Sequence, residues 1–114
     1  MFFKKKQKEF QEADNTAVFT TKYVIRDRKP ITYVTHEEED GAWQFFSSDE
    51  FENFEEVAMI VGLGTIIALD TSLLELADMP VGHYAIRETV NDKWSIRQSV
   101  LPPTSANTDS LAVS

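Results

Sequence analysis

The sequence has no cysteine among its 114 residues. That excludes disulfides, thiolate metal centres and a cysteine nucleophile, and it makes the cytoplasm the expected compartment. Glycine and proline are scarce, with four of each, which excludes collagen-like and low-complexity classes. Basic residues are the minority, 11 against 19 acidic, for a formal net charge of −8. Phosphate backbones repel such a chain, so no nucleic-acid partner is expected. Long apolar runs are missing as well. The longest mostly apolar stretch, Val57 to Leu69, is interrupted by Gly62, Gly64 and Thr65. It falls well short of the ~20 residues that cross a bilayer, so no membrane partner is expected. Lys4, Lys5, Lys6 and Lys8 lead into Glu9 and Glu12, where a secretory signal would turn hydrophobic.

What is present is the composition of one globular domain, 42% apolar and 26% charged, with enough apolar surface for a core. Residues 1–13 read as a flexible or helical tail in which Phe3, Gln7 and Phe10 share a helical face. Residues 14–98 read as a single domain. Residues 99–114 read as a disordered tail, because Leu101-Pro102-Pro103 gives way to small polar residues without periodicity.

Within the domain the apolar period alternates between two and about four. Val18–Ile25 and Ile31–His36 are β-branched and aromatic, and they read as strands paired antiparallel in a hairpin. Glu37-Glu38-Glu39-Asp40-Gly41 is an acidic loop, and Trp43–Phe46 a short third strand. Ser47 and Glu50 have capping-box spacing ahead of a helix bearing Phe51, Phe54 and Ala58 on one face. Met59–Val61 reads either as a buried strand or as the approach to a helix. Leu63, Ile66 and Ile67 fit one helical face and Leu73, Leu74 and Ala77 another, which gives two short helices with a corner between them. Asp70 can cap the second, and Ser72 with Glu75 offers another capping box. Gly82–Glu88 and Lys93–Arg97 read as a second hairpin turning at Asn91-Asp92. Trp94 is expected mainly in the core, sharing a face with Ile96 opposite Tyr84 and Ile86. Trp43 reads either as core or as a partner anchor. The resulting fold class is α+β: an antiparallel sheet of about five strands with short helices, the acidic one among them, on one face.

No motif for chemistry stands out. Gly62-Leu63-Gly64 lacks the third glycine of a dinucleotide fingerprint and reads as a tight turn into a helix. His36 and His83 could join Glu37 or Asp78 at a metal, but no ligand pair has helical i, i+4 spacing, and surface histidines are the commoner meaning. No nucleophile elbow accompanies the serines. The expectation is therefore no catalytic residue, no metal and no cofactor.

The informative feature is charge. Glu37 to Glu56 carries nine carboxylates and no basic residue. A solvated face is the commoner meaning of such a run. The functional reading is a docking surface for a basic protein, with aromatics interleaved as anchors. Its candidate partner-binding residues are Glu37, Glu38, Glu39, Asp40, Trp43, Phe45, Asp49, Glu50 and Glu52.

The order of strands, followed by Asp40-Gly41-Ala42-Trp43-Gln44-Phe45-Phe46-Ser47-Ser48-Asp49-Glu50, resembles a small bacterial α+β domain family of immunity proteins from polymorphic toxin systems. Thr65–Leu74 is similar to that family's helix corner, and Met79-Pro80-Val81-Gly82 to its step before a strand. The resemblance covers about residues 17–98. Ser48 stands where the family favours glycine, Thr71 where a proline often follows the aspartate, and His36 near a common arginine. The resemblance implies a non-enzymatic inhibitor that neutralises a toxin. The rivals are a small enzyme or ligand-binding module with a pocket between the sheet and the Leu63–Ala77 helices, and a regulatory interaction domain without a toxin.

Overall fold

A computed structural model describes residues 8–99. Of the expected tails, residues 1–13 and 99–114, residues 1–7 and 100–114 lie outside the described residues, while Phe10 and Glu12 of the first contact Trp43. The chain is α+β, with six strands in the order β4-β1-β3-β2-β5-β6. The strands are β1 (Ala17–Thr21), β2 (Tyr33–His36), β3 (Trp43–Phe46), β4 (Ala58–Gly62), β5 (His83–Ile86) and β6 (Ser95–Gln98). Four neighbouring pairs are antiparallel, and β1 with β3 is parallel.

The first hairpin is corrected. Val18–Ile25 is not one strand, and it does not pair with Ile31–His36. The β1 ladder ends where Thr21 meets Ala58, the first residue of β4. Past that point no strand partner remains, so Lys22–Ile25 closes one turn of helix, α1, in spite of its β-favouring residues. The amides of Arg26 and Asp27 both donate to the Lys22 carbonyl. This turn drops Val24 into the core. Arg28, at φ 58°, redirects the chain. β3 then inserts between β1 and β2, so the true hairpin is β2–β3, closed by the acidic loop with Gly41 at φ 72°.

Alternation decides the two faces. Val18, Val34, Trp43, Phe45 and Ala85 point to one side, where Leu63 and Ile66 of α3 (Leu63–Leu69) and Leu73 and Leu76 of a 3₁₀ helix (Thr71–Leu76) cover them. The glycines before α3 admit a neighbouring segment. A Cβ on Gly64 would lie 3.1 Å from the Asp14 side chain, and one on Gly62 3.1 Å from the Asp14 carbonyl. That carbonyl accepts from the Gly64 amide, so the 14–16 turn satisfies the exposed start of the helix.

Asp70 caps the 3₁₀ helix through the Ser72 amide, 3.0 Å away. Two expected caps do not form. Ser72 lies inside the 3₁₀ helix, and its hydroxyl donates to Asp70. Ser47 Oγ donates to Asp49 instead, so the acidic helix, α2, is one turn at Phe54–Val57 capped by Asn53.

Arg87 is buried on the covered side. Its guanidinium donates to the Ile31 carbonyl, Ser72 Oγ and the Asp70 carboxylate. It also stacks 4.0 Å from the centre of Trp94. Trp94 is thus only half-buried at the edge of the core, and Trp43 is the enclosed tryptophan. The expected face of β5 is reversed as well. Ala85 and Arg87 point inward, while Tyr84 and Ile86 point away from the helices.

Candidate functional site

Among the described residues, only the single turn of α2 lies on the opposite side of the sheet. Alternation places Phe19, Tyr33, Thr35, Gln44, Phe46, Tyr84 and Ile86 there. This side is rich in aromatic residues. The segment after β3 folds back across it. As a result α2 lies on this side, not beside α3 as its amphipathic reading implied.

Six rings make an unbroken series. Phe54 lies 6.3 Å from Phe19, 5.6 Å from Phe46 and 5.8 Å from Phe51. Phe46 lies 5.6 Å from Tyr33, which lies 5.7 Å from Tyr84. All are inclined or offset, as ring quadrupoles favour. The series is not sealed from water. Phe51 is 38% exposed, Ile86 40%, and Ile60 at the β4 edge 64%. Burial, reinforced by Tyr84 and by the charge of Glu37, raises the Tyr33 phenol above its ordinary pKa. At the β3 C-terminal end a groove of about 540 Å³ opens among Tyr33, Phe46, Phe51, Ile86, Asp49 and Glu88.

The sequence-predicted site residues divide into three groups. Trp43 and Phe45 are removed from the surface set, at 1% and 0% exposure. They point to the covered face, where Phe10 meets Trp43 edge-on at 4.9 Å and Nε1 donates to Glu12 at 3.1 Å. Glu37, Glu38, Glu39 and Asp40 occupy the β2–β3 loop. Asp49, Glu50 and Glu52 lie past the other end of β3. The seven carboxylates of the predicted set therefore lie at opposite ends of β3. The four-residue strand β3, about 10 Å long, separates two groups. Asp49 also has a cation near it, Lys29 Nζ at 4.0 Å.

The histidines form a cross-strand pair on the covered side, His36 opposite His83. His36 is stacked on Trp43 and bonded through Nδ1 to the Met79 carbonyl, and His83 to the Val81 carbonyl. Among the described residues no three His, Asp or Glu side chains are grouped to hold a metal ion. The helix–sheet space of the rival reading is filled by Leu63, Ile66, Leu73 and Leu76.

The residues missed in the sequence are Phe19, Tyr33, Tyr84 and Ile86. Their alternation was legible, but which parity faced solvent was not. The arrangement offers apolar contact area and carboxylates.

No curated protein and no solved structure matches the chain. The family model described as the immunity protein Imm33 domain matches residues 18–97, and the chain belongs to that family.

Proposed function

We propose that the chain neutralises a toxin protein by lying over a basic surface of it with the uncovered face of the sheet. Membership of an immunity family supports a protein partner. The continuous series of Phe19, Phe54, Phe51, Phe46, Tyr33 and Tyr84 carries the choice of face. Aromatic side chains present large rigid area at small entropic cost, which is what binding anchors need. Glu50 and Glu52 flank Phe51 in sequence, and Glu37 lies near Tyr33 at the other end. These charges steer a basic partner into place before the rings are buried. Inhibition follows by occlusion, with no bond made or broken, in the cytoplasm of the producing cell.

The test starts from the gene beside this one, whose product is the expected toxin. Wild type and the double variant Phe51→Ser, Ile86→Ser are compared for capture of that product and for protection of cells expressing it. Loss of both with retained folding supports the reading. Full protection by the double variant removes it.

A further inference from the structure

We propose that the groove between Phe46 and Ile86 receives one arginine side chain of the partner. The proposal rests on the toxin-binding reading of this face and names the chemistry at its centre. The floor is apolar and aromatic, from Tyr33, Phe46, Phe51 and Ile86. Asp49 and Glu88 supply its carboxylates. Glu88 is exposed and has no ion-pair partner among the described residues. Asp49 accepts from Ser47 Oγ at 2.7 Å, and Lys29, half-exposed, stands at the 4.0 Å limit of an ion pair with it. Arg87 also borders the groove, but its guanidinium is committed to the Ile31 carbonyl, Ser72 and Asp70. The charge left to meet a ligand is negative.

Those surroundings select the occupant. Aromatic faces attract a cation and hold a planar one by stacking. Carboxylates beside them match the fork of a guanidinium better than the point charge of an ammonium. The groove, at about 540 Å³, has room for one long side chain and the short segment of chain that carries it.

The probe is the blocked tripeptide acetyl-Gly-Arg-Gly-amide, titrated into the full-length ¹⁵N-labelled chain. The control is the same peptide with citrulline, which keeps the shape and loses the charge. The arginine peptide is expected to shift the amides of Phe46, Phe51 and Ile86, and the citrulline peptide to leave them in place. Asp49→Asn and Glu88→Gln should each weaken binding about fivefold, the size of a partly solvated ion pair, with an unchanged folded spectrum. No shift with arginine, equal shifts with citrulline, or equal affinity in both variants overturns the proposal. This readout needs no toxin. Arginine binding alongside full protection by the Phe51→Ser, Ile86→Ser variant would sink the parent reading alone, and lost protection without arginine binding would sink this one alone.

Discussion

His36 lies flat against Trp43, with ring centroids 3.9 Å apart and planes inclined by 14°. The Met79 carbonyl fixes the imidazole through Nδ1 at 2.8 Å. Phe10 and Glu12 hold the indole from the N-terminal segment. Residues 10–12 are thereby part of the core's closure. The tryptophan that looked available to a partner is enclosed.

The two tryptophans should therefore differ in stability cost. Trp43→Ala removes a fully buried ring and is expected to cost about 3–5 kcal/mol. Trp94→Ala removes a half-buried ring stacked on Arg87, and should cost about 2 kcal/mol. Urea unfolding of both variants measures the difference. Equal midpoints would contradict it.

Arg87 and Asp70 form the other point of stress. The Arg87 side chain is 1% exposed. Asp70→Ala strands that charge, at a cost of about 3–5 kcal/mol. Burial works to raise the Asp70 pKa, but hydrogen bonds from Ser72 and Arg87 and the arginine's charge together outweigh it and lower it. A lowered carboxyl stabilises the fold above its unfolded pKa, and that contribution fades as pH falls through the folded value. Thermal melts should show an acid-side loss below the ordinary carboxylate range. It should be shallower in Asp70→Asn.

Tyr33 predicts the opposite limb. Its raised pKa favours the protonated folded form. The stabilising contribution is complete below the unfolded pKa of about 10 and is lost as pH rises through the folded value. Tyr33→Phe should remove one late-titrating phenol from the ultraviolet absorbance titration. Glu37→Gln should make that phenol titrate earlier, since the Glu37 charge opposes phenolate formation.

The division of the acidic stretch is testable by charge reversal. Glu50→Lys with Glu52→Lys alters carboxylates flanking Phe51, and should slow association with the toxin about tenfold at low salt. Glu38→Lys with Glu39→Lys alters the far loop and should slow it less. Dissociation should change little in either, because peripheral charges act before contact. Stopped-flow mixing at two salt concentrations reads both rates.

Gly82 offers a control away from the proposed face. It sits at φ 78°, and an added Cβ would approach Glu38 Oε1 to 2.8 Å. Gly82→Ala should cost about 1–2 kcal/mol. Glu38→Ala in the same chain should recover only the part due to contact. Chemical denaturation of the two variants separates strain from crowding.

The sequence by itself determined the α+β class, the hairpin of β5 with β6, the two-helix corner at Asp70 and the family. The class, the hairpin and the corner rest on local periodicity, turn chemistry and a cap within two residues of its target, and the family on the resemblance of its segments. It also marked Trp43–Phe46 as a strand and Glu37–Asp40 as a loop. Tertiary structure decided the rest. Val18–Ile25 reads as one strand by propensity, yet it breaks after Thr21 because β4 supplies no partner beyond Ala58. β1 lies beside β3 because a ladder partner is chosen by the whole sheet, not by nearness in sequence. Phe45 and Phe46 are adjacent and chemically identical, but one is sealed in the core and the other lines the candidate binding face. Period two says only that neighbours point apart. Which of them meets water depends on where α3 and the 3₁₀ helix come to rest, and those helices lie far along the chain.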